Sequence, residues 1–298
     1  MTSLIKLSRS FISIKGEGAE KFLQGQVSCD VKTLTDEQFS FGTINTPKGR
    51  MYGLFKIIRI NKGFLLCVEP STASMVIQQL SKYCVFFKCD INLEISYSAY
   101  GDIASYSSKD PQSELYPTKA LNVSKTSHQI CLKLPSLKKN ALFEIWFFEH
   151  SAPENVDDQT SDETWSTFET LQGIPELYAA TQEAFILQDL NLQKLDAVSF
   201  KKGCYTGQEI IARMKFLGKQ KKMTYLLTSP DKITVPAKSY IYASDGSKCG
   251  TVVRSHWANE IGSATLAIIK DSYVEENSVA YLNPECTIRF TISALTYS

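Results

Sequence analysis

The chain has 298 residues, of which 43% are hydrophobic and 21% are charged, and its formal net charge is +1. This length accommodates two domains, and the composition excludes only the extreme classes of protein. The small net charge excludes a global field that would attract nucleic acid or an acidic membrane. Because no export signal and no apolar run of membrane-spanning length is recognisable, we expect a cytoplasmic protein without a membrane contact.

Cysteine usage argues against both zinc and disulfides. The eight cysteines include no Cys-x-x-Cys pair and are accompanied by only three histidines, so no zinc site is expected. A long chain without an export signal is expected to keep its thiols reduced. Most cysteines lie in apolar runs, such as Cys67 within 64–68, and are predicted to be core residues.

The first half of the chain alternates predicted strands and helices. Apolar runs separated by Asn61-Lys62-Gly63 predict a hairpin. Val76, Leu80 and Tyr83 recur at the spacing of one helix face. In chain order we predict strand 11–14, helix 19–24, strands 51–60 and 64–68, a helix from residue 71, and strands within 84–96 and 128–148. This alternation indicates an α+β body.

The pattern of predicted elements changes near residue 222. Residues 151–163 are acidic and polar and predict a surface loop, and the helix that follows should end at Gly173 before Pro175. From 222 onward, short β-rich runs at regular spacing predict a small barrel or sandwich. We therefore divide the chain into a body of residues 1–221, made of two interlaced subdomains, and a C-terminal β-barrel of residues 222–298.

Cys204 stands apart from the other cysteines. Thr206 and Glu209 have the spacing of a capping box, which predicts a helix over 207–214 directly after the thiol. The free N–H groups of that helix start, with Lys201 and Lys202, would favour a thiolate. Alternatively, Cys204 fills space, since free cysteine is among the most buried residue types. The local residues alone do not separate a reactive or ligating thiol from a packed one.

Several segments carry a resemblance to a known family. The octapeptide Lys202-Gly203-Cys204-Tyr205-Thr206-Gly207-Gln208-Glu209 resembles the signature of YgfZ-type proteins, which are related to the folate-dependent T-protein, an aminomethyltransferase of the glycine cleavage system. The resemblance spans most of the chain, and its other parts are 16–26, 48–50, 173–176, 190–192 and 198–200.

The resemblance implies both a fold and a function. The fold would be a T-protein-like ring of subdomains, an α+β body with a folate-binding centre, followed by the C-terminal β-barrel. The implied function is accessory: assembly or repair of iron–sulfur clusters, in support of client enzymes that include tRNA-modifying enzymes. The implied cofactor is tetrahydrofolate or a derivative, and the implied partners are an iron–sulfur scaffold or carrier protein and those client enzymes.

Differences from the T-protein argue against an active aminomethyltransferase. The acidic pair of that family falls here at Tyr52 and Gly53, and neither residue accepts a proton as a carboxylate does. The pteridine-binding glutamate falls at Leu171, and a tryptophan of the bacterial branch falls at Arg9. A folate-dependent transferase with a divergent site is therefore the second hypothesis, behind the non-enzymatic accessory protein.

The resemblance also assigns candidate cofactor contacts, which are Trp165, Arg50, Tyr205, Gln208 and Glu209. Trp165 is retained from the bacterial branch, but an aromatic on the apolar stripe of a helix is often a core residue. Arg50 would meet the glutamate tail of folate or simply solvate the end of a strand. Tyr205 and Gln208 would orient the loop that carries Cys204.

Cys204 is the predicted functional thiolate, assisted by Lys202. An iron–sulfur cluster usually needs four protein ligands, and this chain offers one activated cysteine without a companion at ligand spacing. Cys204 would therefore ligate a transient cluster shared with a partner, or attack a persulfide or disulfide. The basic stretch of Lys215, Lys219, Lys221 and Lys222 lacks aromatic companions, so direct nucleic-acid binding is not expected.

Overall fold

The computed structural model describes residues 4–104, 115–137, 141–148, 151, 162–218, 220–258, 262–274 and 278–297. Two antiparallel five-stranded sheets and a closed six-stranded barrel account for its strands. The strands are β1 Ile5–Leu7, β2 Ser10–Lys15, β3 Phe39–Asn45, β4 Met51–Ile60, β5 Gly63–Val68, β6 Asp90–Glu94, β7 Tyr97–Ala104, β8 Val123–Lys125, β9 Gln129–Lys133, β10 Ala141–Phe148, β11 Lys222–Ser229, β12 Tyr240–Tyr242, β13 Lys248–Ala258, β14 Gly262–Lys270, β15 Val279–Tyr281 and β16 Arg289–Ser293. The α-helices are α1 Ala19–Gln24, α2 Pro70–Cys84, α3 Asp162–Leu171, α4 Gln208–Phe216 and α5 Asp271–Val274.

The strand order defines three layers around a shared interior. The first sheet has the order β3-β4-β5-β2-β6, the second has β1-β7-β10-β9-β8, and the barrel has β11-β14-β13-β12-β15-β16. Helices α1 and α2 cover the first sheet, while α3 lies between β1 and the barrel strands β13 and β14. The predicted α+β body with a C-terminal β-barrel is therefore confirmed.

Local sequence explains the predicted β4-β5 hairpin. Ile60 pairs with Gly63, so Asn61 and Lys62 alone form the loop. Lys62 takes a left-handed conformation with φ of 62°. A Cβ at Gly63 would come within 2.1 Å of the Ile14 carbonyl oxygen on β2, so only glycine fits there. The hairpin prediction was right because the turn residues supply the unusual backbone angles.

Helix α2 corrects one predicted boundary. Glu69 caps its start by accepting a hydrogen bond from the Ser71 N–H at 2.9 Å. Val76 and Leu80 are buried as the periodicity predicts, but Tyr83, the third residue of the predicted face, is 49% exposed. The helix continues to Cys84 and a 3-10 turn follows, so the strand expected from residue 84 begins only at Asp90.

Within the described residues, no helix is long and apolar enough to cross a membrane.

Two other predictions stay largely untested. Most of the predicted acidic loop, namely residues 152–161, lies outside them, and residues 162 and 163 begin α3. The division of the chain at residue 221 stays a prediction, although the first barrel strand begins at Lys222.

Candidate functional site

Cys204 lies on the surface, in the loop of residues 201–207 that precedes α4. We call this segment the thiol loop. All eight cysteines lie in described residues, and Cys204 is the exposed one among them; the other seven are buried or half-buried. A Cβ placed on the neighbouring Gly203 would meet no atom within 4 Å. The thiol therefore faces open space, which excludes the interpretation that Cys204 fills the core.

The predicted capping box is wrong. Helix α4 begins at Gln208, and its N-cap is Gly207, which has φ of 85° and provides no side-chain cap. Because the chain makes this left-handed turn at Gly207, Thr206 lies one residue outside the cap position and Glu209 is exposed in the first turn. A Cβ at Gly207 would come within 2.6 Å of the Thr46 carbonyl oxygen. The close approach of two backbone segments, rather than a hydroxyl cap, defines the helix start.

Lys202 does not flank the thiol at the surface as expected. Its side chain is buried, and its ammonium group donates hydrogen bonds to the carbonyl oxygens of Val27 and Cys29 at 2.8 and 2.7 Å. Burial lowers the pKa of Lys202 to about 8. Its Nζ also lies 5.1 Å from the centroid of the Tyr205 ring. In this position Lys202 fastens the thiol loop to the body, which is a structural task.

Tyr205 is the second internal anchor of the loop. Its ring is buried, and its hydroxyl has no hydrogen-bond partner within the described residues. Burial is the main cause that raises the pKa of Tyr205 above its usual value. Lys202 and Tyr205 are both directed inward. The buried contacts of these two residues hold Cys204, which lies between them, at the surface.

The structure separates the other predicted cofactor contacts. Trp165 is fully buried in α3, where its ring would clash with any Cβ at Gly101 of β7, and its indole N–H has no partner within the described chain. Arg50 instead donates to the carbonyl oxygens of Glu183 and Ala184 at 3.2 and 2.6 Å. Gln208 lies at the start of α4. No hydrogen bond or ring contact between described residues joins Trp165 to the residues near the thiol.

A buried ionic network at the junction of the three layers was missed by the sequence analysis. Arg9 contacts Glu169 of α3 at 3.1 Å, and Lys56 of β4 contacts Glu144 of β10 at 2.5 Å. Arg254 of the barrel strand β13 reaches Glu169 at 3.4 Å. We call these five residues the central network. A usable signal existed, since a lysine and a glutamate interrupt the apolar runs 51–60 and 141–148.

Opposite charges compensate one another within the central network. Burial opposes ionisation of Glu169, but the positive charges of Arg9, Lys56 and Arg254 outweigh it and lower the pKa of Glu169 to about 2. Glu144 also accepts a hydrogen bond from the Trp146 indole N–H at 2.8 Å. The carboxylates therefore stay charged in the interior, where an unpaired charge would be very costly.

A small cavity lies beside the central network. The cavity beside the central network has a volume of about 10 Å³ and is lined by residues that include Arg9, Lys56, Cys67 and Glu176. That volume is about enough for one water molecule, whereas ligand pockets usually measure roughly 300–1,000 Å³. The buried side chain of Arg9 is one of the groups that line this space. In this conformation, that cavity is too small to hold a pterin.

The alternative catalytic position is also closed. A Cβ at Gly53 would come within 2.4 Å of a Val76 methyl group of α2, so a carboxylate has no space there. The backbone carbonyl of Tyr52 accepts a hydrogen bond from Gln182 at 2.8 Å. Searching the described part of the chain for three or more clustered metal-ligating side chains finds none. The exposed thiol therefore belongs to no group of three or more such side chains among the described residues.

Comparison with known proteins gives a consistent result. The chain is 30% identical over 276 residues to the tRNA-modifying protein YgfZ of Aliivibrio fischeri strain ES114, covering 90% of this chain and 84% of that protein. The YgfZ proteins of Colwellia psychrerythraea and Escherichia coli O157:H7 are 29% and 28% identical, over 90% and 96% of this chain and 85% and 90% of theirs. No protein-family model matches.

The fold has a solved counterpart. The glycine cleavage system aminomethyltransferase T of Bartonella henselae superposes with a TM-score of 0.73 at 13% identity, covering 98% of this chain and 85% of that one. The structure thus defines a protein with the T-protein fold, a buried ionic network between its layers and an exposed thiol loop. Within that class, the chain belongs to the family of tRNA-modifying protein YgfZ.

Proposed function

We propose that this chain is an accessory protein for the assembly or repair of iron–sulfur clusters, and that Cys204 acts on a cluster held by a partner protein. The observation that supports it is the thiol itself, which faces solvent while both of its flanking side chains are anchored inside. A loop built in this way presents sulfur outward at low conformational cost.

The chemistry follows from the number of ligands. Iron–sulfur clusters are usually held by four thiolates, and Cys204 supplies one. In the proposed exchange, the Cys204 thiol gives its proton to solvent, and its sulfur binds an iron atom in place of one ligand of the partner. The partner provides the remaining ligands throughout. The curated relatives are named for tRNA modification, and we propose that this chain supports tRNA-modifying enzymes among its clients.

Lys202 belongs to this proposal as a positioning residue. Its ammonium group ties residues 27 and 29 to the loop that carries the thiol. The Lys202→Met variant keeps much of the buried length but loses both hydrogen bonds, so we expect lower activity in cells through a displaced loop. Lys202→Arg should restore activity in part, because its guanidinium also donates.

Tetrahydrofolate stays a prediction from the resemblance. The cavity beside the central network is too small for it in this conformation, so we derive no step of the proposed function through folate. The transferase hypothesis is weaker still, because it needs both the folate and a proton acceptor at the position of Gly53. Formation of methylenetetrahydrofolate from an aminomethyl donor by the purified protein would revive it.

The test is made in cells that carry only a variant of this chain. Cys204→Ala should lower the activity of an iron–sulfur tRNA-modifying enzyme at least about tenfold, because it removes the proposed iron ligand. Mass spectrometry of the modified nucleoside provides the measurement. Cys286→Ala, a half-exposed cysteine of the barrel, is the matched control and should keep normal activity. Normal activity of Cys204→Ala would refute the proposed function.

A further inference from the structure

An exposed apolar pair lies at the far end of the helix that begins behind the thiol. Phe216 is 67% exposed and Leu217 is 83% exposed. The Phe216 ring packs edge-on against Phe200, with centroids 5.9 Å apart and an interplanar angle of 77°. Phe200 belongs to the segment that leads to Cys204, so the thiol loop and the end of α4 form one continuous surface.

Positive charge surrounds this apolar pair. Lys201, Arg213 and Lys215 are exposed, and none of them forms an ion pair with a described residue. Lys215 places its Nζ 5.6 Å from the centroid of Phe200. Between residues 199 and 218, the exposed acidic residue is Glu209. The surface therefore combines an apolar centre with an excess of free cations.

Helical geometry puts these groups together. Arg213 and Phe216 follow Glu209 by four and seven residues, so the three side chains share one face of α4. A helix of nine residues is about 13 Å long, so Phe216 lies roughly that far from the turn that carries the thiol. A protein that covers this face would bring its edge to Cys204.

We propose that Phe200, Arg213, Lys215, Phe216 and Leu217, which we call the α4 surface, are the docking site for an acidic protein that carries the iron–sulfur cluster. This inference rests on the proposed function and adds the place and the charge of the partner. Aromatic and aliphatic side chains at the centre of an interface supply most of its affinity. The surrounding cations would steer an acidic partner and set its orientation.

The α4 surface fits an acidic protein better than two other occupants. In a two-fold interface with a second copy of this chain, one exposed carboxylate per copy, that of Glu209, would face three cations per copy, which leaves an unfavourable excess of positive charge. RNA is held by many phosphate contacts and by bases stacked on open aromatic faces. Here three free cations accompany an aliphatic Leu217 and a Phe216 ring that packs against Phe200.

The test measures binding with purified components. Each iron–sulfur scaffold and carrier protein of the source cell, loaded with its [2Fe–2S] cluster, is titrated into the full chain by calorimetry. At least one acidic protein should bind, more weakly as salt rises. Phe216→Ser with Leu217→Ser should lower affinity at least about tenfold, as should Arg213→Glu with Lys215→Glu.

A matched control uses the other exposed apolar pair of the described chain. Val85 and Phe86 are 74% and 78% exposed after α2, and changing both to serine should leave the affinity unchanged. Three results would overturn the inference: no loaded protein binds, the Phe216 and Leu217 variant binds normally, or those two residues prove necessary for binding unmodified tRNA or for self-association in sedimentation.

The docking inference and the proposed function fail separately. Cys204→Ala leaves the α4 surface intact, so it should still bind the acidic protein while failing to support the client enzyme in cells. Normal enzyme activity with Cys204→Ala would refute the function whatever the binding data show. Normal binding by the Phe216 and Leu217 variant would refute the docking site and leave the function standing.

Discussion

The central network and the thiol loop use buried lysine and arginine side chains in different ways. At the centre, Arg9 and Arg254 neutralise carboxylates and fill the space between the three layers. In the thiol loop, the buried ammonium of Lys202 is satisfied by backbone carbonyl oxygens. The first arrangement joins the three layers, and the second holds the Cys204 thiol at the surface.

The two regions should respond differently to substitution. A compensated ion network is costly to open, because removing one partner leaves an unpaired charge in the interior. The thiol needs no such opening, since Cys204 already faces solvent. We therefore expect changes at the centre to act on stability and changes at the loop to act on function.

The largest effect on stability should come from Glu169→Ala. The change leaves Arg9, Lys56 and Arg254 with too little negative charge in the interior. Removing one partner of a buried ion pair costs about 3–5 kcal/mol, and urea unfolding would measure it. Glu209→Ala, an exposed glutamate, is the control and should change stability by less than about 0.5 kcal/mol. Equal effects of the two variants would contradict the role of the network.

The next effect concerns pH. Burial, assisted by the charge of Arg254, lowers the pKa of His256 to about 3, below its value of about 6.5 in an unfolded chain. Between these two values the unfolded chain carries a proton on His256 and the folded chain does not. The stability that neutral His256 allows is therefore fully present above about pH 6.5 and is lost as the pH falls toward about 3. The loss is at most about 1.4 kcal/mol per pH unit.

The variant His256→Gln isolates this effect. Between pH 6.5 and 4, its free energy of unfolding should fall less steeply than that of the original chain, as measured by urea unfolding at each pH. His128, which is exposed in the turn between β8 and β9, is the matched control position. If His256→Gln and His128→Gln both follow the original pH profile, the interior site of His256 does not shift its titration.

A smaller difference should separate two cysteines. Cys67 is buried beside Glu144, with its Sγ 3.5 Å from a carboxylate oxygen, so Cys67→Ala should cost about 1–2 kcal/mol. Cys204→Ala should stay within about 0.5 kcal/mol of the original chain, because the thiol is exposed. Thermal unfolding of both variants would show it. A strong destabilisation by Cys204→Ala would mean that its loss of function in cells is indirect.

The smallest expected change is the response to tetrahydrofolate. Because the central cavity is close to the size of a single water molecule, adding the cofactor should not raise the melting temperature. A ligand present at 100 times its dissociation constant would stabilise by about 2.7 kcal/mol, which is easily detected. Saturable binding by calorimetry, abolished in Trp165→Ala, would show that the centre opens and that the sequence resemblance predicted the cofactor correctly.

Local sequence was sufficient where neighbouring residues make the structure. The Asn61-Lys62 turn, the buried stripe of α2 and the start of the barrel near residue 222 were all readable, because turns and periodicity are local properties. The T-protein-like fold followed from the resemblance rather than from the pattern. The capping box failed because Gly207 turns the chain against the backbone of Thr46, a contact between distant segments.

By itself, the sequence determined the family, the order of the elements and the prominence of Cys204 among eight cysteines. Only the tertiary structure decided that Lys202 points inward, that Trp165 lies in the core and that Arg9, Lys56, Glu144, Glu169 and Arg254 meet. Those five residues come from different parts of the chain, and their charges compensate only after the two sheets, α3 and the barrel have packed together. Charge in a protein interior depends on such distant partners, which no local pattern records.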